Sequence, residues 1–554
     1  MRPRTGLAAF ATLMTTAGVL AAAAAGATAA GASTTAHDGG RPSPGFGHRQ
    51  QTRLIPGDLL VSTSYYSSDP GIVAGTTQLP PGCSGANCVT AIANGNYPYV
   101  FNNVTVDPSF GVTSPLYLKQ ITTSGRPQGV IKVPTSELVT SFSSKSEGAL
   151  NLSSDGRSLT FMDYVGAPDT VDASNANTPG VIDPTNPVPG ADYRAVANLS
   201  ADGRFTFTET NAYSGNNGRA AVEATVDGKD YYYTAGNAGN GSNPQPTGVI
   251  LGAGTQIITP SNRPEADQTP GQPTPVGSFN VTQLGDKADK VGKDDNFRGL
   301  ALYNNVLYYT KGSGSNGVNT VYFLDTTGTA CPDGAGLPVP GAKLPSAGIE
   351  SSLTSTGLAS NMCVLKGFPT ALAKNATDAS DYPFGLWFAN PTTLYVADEG
   401  AGDNAYADGS YTAAAASTTA GLQKWVYSAA SGQWQLAYTL QDGLNLGAPY
   451  SVRGYPTGVN SVTGLPWTPA TDGLRNLTGQ VNRDGTVSIW AVTSTVSGGG
   501  DQGADPNQLV QITDSLKAAS APERERFRTV VPALYDQVVR GVSFTPGTGV
   551  FGGR

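Results

Sequence analysis

The clearest structural signal in this chain is the stretch Arg298-Gly-Leu-Ala-Leu-Tyr-Asn-Asn-Val-Leu-Tyr-Tyr-Thr310. It contains two short runs of apolar and aromatic residues, which are typical of β-strands. The pair Asn304-Asn305 separates them, and Asn is a common residue of tight turns. The stretch therefore predicts a β-hairpin, and the Lys-Gly-Ser-Gly segment after it predicts a loop.

The same pattern recurs along the chain, so the hairpin is one unit of an internal repeat. Each unit opens with a polar or bulky residue followed by a small one, and then runs into a short apolar strand. The other complete units open at Glu147-Gly148, Arg219-Ala220, Phe384-Gly385 and Arg475-Asn476. The spacing exceeds the roughly 40 residues of a minimal four-stranded propeller blade. The units must therefore carry long loops.

Two incomplete units stand at the ends of the chain. Arg540-Gly-Val-Ser-Phe544 is an opening strand with no second strand after it, whereas Asp58-Leu-Leu-Val-Ser-Thr63 is a second strand without a first. Pairing them in one shared sheet closes a ring, which leaves only short, protected sheet edges. We therefore predict an all-β fold, a single β-propeller domain over residues 53–554 with six blades. Seven blades follow if the hairpin Arg194–Phe207 opens a blade of its own.

The repeat resembles the secreted six- to seven-bladed β-propellers of bacteria, the broad lactonase-like and NHL-like group. The segments 296–302 (NFRGLAL), 310–317 (TKGSGSNG) and 394–400 (LYVADEG) carry this resemblance, which spans roughly residues 55–550. It implies the propeller fold. It transfers no catalytic residue, because propellers host many unrelated functions.

Charge and histidine content exclude several functions. The formal net charge of −8 argues against a nucleic-acid-binding protein, which needs a broad basic surface. The chain has only two histidines, His37 and His48, and both precede the first predicted strand. The predicted propeller therefore has no imidazole for a Ser-His-Asp centre or a His-ligated metal. Acid–base chemistry would fall to Tyr, Lys, Asp or Glu.

The N-terminus has the features of a secretory signal peptide. Arg2 and Arg4 precede an apolar run from Leu7 to about Ala25, and small residues up to Ala32 offer cleavage sites. We expect residues 1–32 to be removed, residues 33–52 to form a disordered tail, and the mature protein to be a secreted, extracellular monomer without a membrane anchor. A single uncleaved anchor is the alternative.

The four cysteines fit an exported protein, in which disulfides persist. Proximity favours the pairs Cys83–Cys88 and Cys331–Cys363, the second of which closes a loop rich in Pro, Gly and Ser. A four-cysteine metal site is the alternative, although the sequence lacks the Cys-x-x-Cys spacing typical of zinc sites.

The repeat places one set of residues at the mouth of the central channel, because the residues before each inner strand lie together. Arginine occupies four of the six equivalent positions, and the set is Glu147, Arg219, Arg298, Phe384, Arg475 and Arg540. Four guanidinium groups repel one another unless anions or carboxylates compensate them. They predict either a site for a carboxylate, sulfate or phosphate, or arginines that each bridge to a neighbouring blade.

The loops after the second strands add polar and aromatic candidates to this mouth: Tyr65, Tyr66, Tyr164, Lys311, Asp398 and Glu399. Tyrosine rings suit sugar rings. A carboxylate pair of Glu147 with Asp398 or Glu399 would suit a glycoside hydrolase. Tyr164 beside an arginine, with its pKa lowered, would suit the base of a polysaccharide lyase that acts on a uronate.

Two segments are rich in oxygen ligands, residues 398–408 and 501–505. Such segments suit an extracellular Ca²⁺ ion. Neither has the spacing of an EF-hand loop, so Asx turns are the alternative.

Two functions remain at this stage. The first is an extracellular propeller that binds an anionic glycan, with a uronate-type polysaccharide as first choice, and that acts on it as a lyase or hydrolase if it is an enzyme. The second is a non-catalytic propeller that binds protein or cell-wall material. An open arginine funnel without acidic partners would favour the first function, and paired arginines in a filled channel would favour the second.

Overall fold

The computed structural model describes residues 53–65, 78–79, 89–90, 113–141, 146–168, 173–174, 176–183, 190–237, 254–269, 276–287, 294–312, 316–349, 359–375, 381–460, 463–498, 503 and 505–549. The expected signal peptide (1–32), the tail (33–52), Tyr66, the Cys83–Cys88 pair and the segment at Asp501 and Gln502 lie outside these residues. In the described part of the chain, no helix has both the length and the apolar composition needed to cross a membrane.

The described part of the chain contains six main sheets, which we number as blades I to VI. The strands of each blade are given in order from the inner strand outward. Blade I contains Asn151–Leu152, Ser158–Tyr164, Arg194–Ser200 and Phe205–Thr210. Blade II contains Gly218–Val226, Lys229–Gly236 and Thr255–Ile258. Blade III contains Leu300–Tyr303, Val306–Lys311, Thr320–Leu324, Met362–Leu365 and Ala335–Gly336.

The second half of the ring consists of three four-stranded blades. Blade IV contains Pro383–Asn390, Thr393–Asp398, Gly421–Ser428 and Gln433–Leu440. Blade V contains Ala470–Val481, Thr486–Val496, Leu509–Ser515 and Arg528–Val531. Blade VI contains Gln537–Phe544, Leu59–Tyr65, Leu116–Ile121 and Pro127–Lys132.

Short elements lie outside the blades. They are the strand pairs Gln78–Leu79 with Val89–Thr90, Thr113–Ser114 with Thr140–Ser141, and Tyr406–Ala407 with Ser410–Tyr411, the 3₁₀ turn Val281–Leu284 and the α-helix Thr412–Ala416.

The six blades form a closed ring, as predicted. The inner strands contact one another in order from blade I to blade VI, and the inner strand of blade VI contacts that of blade I. The closure is the expected pairing of the chain ends, in which Leu59 lies opposite Phe544 in an antiparallel ladder. The backbone N–H of Thr545 also donates to the carbonyl of Asp58 at 2.9 Å. The fold is therefore a six-bladed β-propeller.

The blade count is six because the hairpin Arg194–Phe207 belongs to blade I. Its first strand pairs with Ser158–Tyr164, and its second strand, Phe205–Thr210, is the outer edge of the same sheet. The possible seventh blade is thereby excluded.

Tyrosine fills much of the space between blades. Tyr233, Tyr309 and Tyr322 are fully buried within one hydrophobic cluster. Each has a partner for its hydroxyl group, and that of Tyr233 donates to the carbonyl of Pro345 at 2.6 Å. Tyrosine provides both the bulk and the hydrogen bond that such a wide, partly polar core needs, which explains why it outnumbers phenylalanine (24 to 17).

The predicted disulfide Cys331–Cys363 is present, with a Cα–Cα distance of 5.7 Å. It ties the long loop of blade III to the strand Met362–Leu365. The described cysteines are therefore a structural cross-link and not metal ligands.

Candidate functional site

The pairing of the inner strands is irregular at the residues that open the repeat units. In blade VI the register shifts at Arg540, and the same kind of shift occurs at Arg219, Phe384 and Arg475 in blades II, IV and V. In blade III, the backbone N–H of Arg298 donates to the carbonyl of Thr310, and the backbone N–H of Thr310 donates to the carbonyl of Gly299. These β-bulges re-aim side chains that a regular strand would point elsewhere.

Glycines that follow two of these positions allow successive inner strands to approach closely. A Cβ atom at Gly299 would lie 1.9 Å from the carbonyl oxygen of Phe384 in the next blade. A Cβ atom at Gly541 would lie 2.6 Å from the carbonyl oxygen of Gly148. Because these neighbours are backbone atoms, only glycine fits at both positions. These two glycines therefore allow the inner strands to pack closely at the centre of the ring.

The six residues of the predicted mouth differ in exposure. Arg298 is partly exposed. The other five are buried: Glu147, Arg219, Phe384, Arg475 and Arg540. This end of the channel is therefore filled by side chains and is not an open funnel.

Arg475 and Arg540 are held by groups of the protein. Arg475 forms a buried ion pair with Glu399, in which Nε lies 3.2 Å from Oε2, and its guanidinium lies 5.9 Å from the ring centre of Phe384. Arg540 donates from Nε to the hydroxyl of Ser64 at 2.8 Å. Arg475 thus matches the alternative in which an arginine bridges to a neighbouring blade, whereas Ser64 belongs to the same blade VI as Arg540.

Arg219 and Arg298 form the other pair, on blades II and III. One terminal nitrogen of Arg219 donates to the carbonyl of Phe297 at 2.7 Å and to the side chain of Asn296. Its Nε is buried and has no hydrogen-bond partner in the described part of the chain. Burial, and next the charge of Arg298, lowers the pKa of Arg219 to about 9. The two guanidinium groups therefore repel each other at a buried position, and the carboxylates of Glu147 and Glu399 offset part of this repulsion.

Arg298 extends across the ring. Its Nη1 donates to the hydroxyl of Ser146 at 2.5 Å, which joins blade III to the segment that enters blade I. The next residue, Glu147, accepts from Asn217 at 2.6 Å and from the hydroxyl of Tyr164. Arg219, Arg298 and Glu147 thus lie on the side of the channel bounded by blades I to III.

The predicted role of Tyr164 as a base does not fit this geometry. Burial and the carboxylate of Glu147 raise the pKa of Tyr164 well above its ordinary value. The expectation of a tyrosine with a lowered pKa is therefore wrong, although Arg194 does lie 5.2 Å from its ring. Tyr164 is fully buried and donates to Glu147, so neither group is available as a base or nucleophile in this arrangement.

Asp398 and Glu399 have separate structural roles. Burial raises the pKa of Asp398 to about 8, and its oxygens accept from the backbone N–H groups of Tyr382 and Gly400. Glu399 is the partner of Arg475. No hydrogen bond within the described residues joins either carboxyl group to Glu147. The carboxyl groups of a glycoside hydrolase lie about 5–9.5 Å apart without a direct bond, so the predicted pairing stays a prediction.

Lys311 and Tyr65 also lie in polar or aromatic contacts. Lys311 is fully buried and donates to Asn319 at 2.9 Å, and burial lowers its pKa to about 7. The ring of Tyr65 lies 4.6 Å from that of Tyr117, and Lys119 lies 4.9 Å from it. Tyr65 is therefore not a free stacking surface for a sugar.

The segment 398–408 contains Asx turns. The carboxylate of Asp398 accepts from the backbone of Gly400, and that of Asp403 accepts from Ala405 at 2.8 Å. No group of three or more Asp, Glu, His or Cys residues is placed to hold a metal ion in the described ranges. The described contacts of these two carboxylates are therefore those of Asx turns.

Sequence analysis missed three polar side chains that organise this region. The buried guanidinium of Arg194 donates to backbone carbonyls, among them that of Asn216 at 2.6 Å. Asn217 holds Glu147, and Asn476 accepts from the backbone of Val542 at 2.6 Å. A charged residue inside an apolar strand was the available signal for Arg194.

Fold and site define this protein as a closed six-bladed propeller with an arginine-rich centre. Neither a protein-family model nor a curated protein matches its sequence. Among solved structures it is similar to a GH43 β-xylosidase/α-arabinofuranosidase from a compost microbial metagenome in complex with xylotriose (TM-score 0.22, 10% identity, 63% of this chain and 86% of that chain).

It is also similar to a PL25 ulvan lyase (TM-score 0.24, 11% identity, 81% of this chain and 95% of that chain) and to the same kind of lyase bound to -[GlcA(1-4)Rha3S]- (TM-score 0.25, 11% identity, 81% and 97%). These neighbours are carbohydrate-active enzymes. The fold assignment of this chain rests on its own strand order and not on these similarities.

Proposed function

We propose that this protein is an extracellular β-propeller that binds an anionic glycan, with a uronate-type polysaccharide as first choice. The acidic group of the ligand binds between Arg219 and Arg298 at the channel mouth. The observation that carries this proposal is the buried Nε–H of Arg219, which has no partner among the described residues and lies beside a second guanidinium group.

An acidic ligand would relieve both costs of this arrangement. A carboxylate or sulfate accepts from guanidinium groups in a bidentate manner, so it satisfies the unused donor. Its negative charge also compensates the repulsion between Arg219 and Arg298. The partial exposure of Arg298 gives such a group a route from solvent.

The proposal is binding without catalysis. Tyr164, Glu147 and Asp398 are buried and engaged in hydrogen bonds, so the geometry supports no acid–base pair at this mouth. Two observations favour the second function, a propeller for protein or cell-wall material with a purely structural centre. This end of the channel is filled by side chains. Arg475 and Arg540 are bound by groups of the protein itself.

Calorimetric titration with trigalacturonate tests the binding proposal. We expect Arg298→Ala to weaken binding about tenfold or more, because a charge-assisted hydrogen bond contributes about 1.5–3 kcal/mol. Arg298→Lys should retain part of the affinity, since it keeps the charge but not the bidentate geometry. The matched control is Arg204→Ala, which removes an exposed arginine on blade I.

Two results would separate the alternatives. Unchanged affinity in Arg298→Ala, with an unchanged thermal midpoint, would refute the channel site. A screen of uronate polymers for unsaturated products and for new reducing ends tests catalysis, and activity in that screen would refute binding without chemistry.

The extracellular location is tested by N-terminal sequencing of the protein recovered from the culture medium. We expect a mature N-terminus close to residue 33. Recovery of the intact chain in the membrane fraction would contradict cleavage and favour the anchor.

A further inference from the structure

A polar cavity of about 530 Å³ lies between blades V and VI. One wall is a face of blade V, and the other is the turn Thr122–Gly125 that joins the outer strands of blade VI. Its volume lies in the range of ligand-binding pockets, about 300–1,000 Å³. The cavity is thus large enough for a ligand of several atoms and not only for water.

The register of blade V explains why this wall is polar. Gln480 pairs with Ser488, which in turn pairs with Thr513. Directly opposed residues point to the same face of a sheet, so these three side chains form one polar row across three strands. None of the three is buried. Small hydroxyl side chains in this row leave the space that bulky apolar residues would fill.

The cavity lies at the end of blade V that is remote from the arginine cluster. Leu474, next to Arg475, pairs with Thr493, whereas Gln480 pairs with Ser488. Five residues of strand correspond to roughly 17 Å. A ligand in this cavity therefore occupies a place distinct from the channel mouth.

The cavity is built by fixed contacts between the two blades. The indole N–H of Trp490 donates to the carbonyl of Thr123 at 3.0 Å. A Cβ atom at Gly125 would lie 2.7 Å from the carbonyl oxygen of Val530, so the turn packs against the backbone of the outer strand of blade V. The opening therefore exists without a ligand, which lowers the cost of binding.

The polar side chains of the wall are oriented by one another. Gln511 accepts from the Nε of Arg528 at 2.6 Å, and Asn482 donates to the hydroxyl of Ser488 at 3.0 Å. The side chain of Gln480 has no hydrogen-bond partner among the described residues. Amide and hydroxyl groups in such an array match the hydroxyl groups of a sugar, which both donate and accept.

The charge of the lining is positive. Arg524, Arg526 and Arg528 are exposed at the cavity. Glu525 is the carboxyl group among the lining residues, and burial, with the adjacent Asp514, raises its pKa to about 8. The three guanidinium groups therefore outnumber the carboxyl group of the lining in either of its protonation states.

We propose that this cavity is a second glycan site, which binds a short acidic saccharide between blades V and VI. Its hydroxyl groups bond to the amide and hydroxyl row of Gln480, Ser488 and Thr513, and its carboxylate or sulfate binds at Arg528. An inorganic anion alone would leave the polar row unused.

The test uses the Arg298→Ala protein, in which the channel site has lost about tenfold or more of its affinity. We expect trigalacturonate to bind this protein. Adding Arg528→Ala should weaken binding about tenfold or more through the loss of a charge-assisted contact. Adding Ser488→Trp should abolish binding by filling the cavity. Adding Arg204→Ala should change nothing, and thermal midpoints establish that each variant is folded.

Each contrary result overturns the proposal. The first is that trigalacturonate does not bind Arg298→Ala, and the second is that both cavity variants bind it as tightly as Arg298→Ala does. The third and fourth are that the neutral trisaccharide maltotriose, or inorganic sulfate, binds as tightly as trigalacturonate. The channel proposal is judged separately, because it depends on the difference between the wild-type protein and Arg298→Ala.

Discussion

Blades IV and V share a buried ion pair whose removal gives a sharp test of the structure. The side chains of Lys424 and Asp514 are fully buried, and Nζ lies 3.1 Å from Oδ2. Lys424 also donates to the hydroxyl of Tyr438 at 2.8 Å and to the carbonyl of Ser515 at 2.6 Å. Asp514 accepts from the hydroxyls of Tyr395 and Tyr438.

The two single substitutions should have unequal effects. Asp514→Asn leaves a buried ammonium group with only neutral acceptors, so it should lower the free energy of unfolding by about 3–5 kcal/mol. Lys424→Met should cost less, about 2 kcal/mol, because the carboxylate keeps two tyrosine donors and such bonds contribute about 1.5–3 kcal/mol each. The double variant contains no buried charge from this pair and should cost clearly less than the two singles together.

Equilibrium unfolding in guanidinium chloride, followed by tryptophan fluorescence, measures the three variants and the wild type. The double-mutant cycle should give a coupling energy of about 3 kcal/mol. Additive effects within about 0.5 kcal/mol would show that the two charges do not interact, which would refute the placement of these side chains. A smaller effect of Asp514→Asn than of Lys424→Met would refute the argument from the tyrosine donors.

Three further predictions concern the ring, the cross-link and a buried amine. Gly299→Ala should lower the unfolding midpoint by forcing the strand away from the carbonyl of Phe384, whereas Gly190→Ala, whose Cβ would have only an ordinary contact, should not; equal midpoints would contradict the close approach. Cys363→Ser should lower the free energy of unfolding by about 3–4 kcal/mol, because the unfolded chain is no longer constrained by a cross-link between residues 32 positions apart. The folded pKa of Lys311, about 7, lies below its ordinary value of 10.5, so the unfolded chain binds more protons between these values and stability rises with pH across this window. Lys311→Met should remove about 1–3 kcal/mol of that rise between pH 7 and 9.5 in denaturation curves, and an unchanged slope would contradict the buried position.

The ring was predictable because its signals are local and repeated. The strands at Asp58–Thr63 and Arg540–Phe544 are incomplete when taken alone, and each supplies what the other lacks. Their pairing in blade VI follows from the requirement that sheet edges be covered. The hairpin Arg194–Phe207 was the open point, because its own sequence does not show which sheet it joins.

The partners of the central side chains were not predictable to the same degree. Glu399 pairs with Arg475 from the next blade, a contact that depends on the distance between blades and not on sequence spacing. The pKa of Tyr164 shifts upward because of its burial against Glu147. Proximity to an arginine suggested the opposite direction, and depth of burial, which a sequence does not give, determined the outcome.

The arginines of the repeat differ in their partners because their positions are equivalent only in the backbone. On the side of blades V and VI, the neighbouring groups include Glu399 for Arg475 and the hydroxyl of Ser64 for Arg540. On the side of blades II and III, the carbonyl of Phe297 uses only one nitrogen of Arg219, and its Nε remains unused in the described part of the chain. The same bulge therefore yields fully engaged contacts such as the Arg475–Glu399 ion pair, and at Arg219 it leaves the one donor on which the proposed anion site rests.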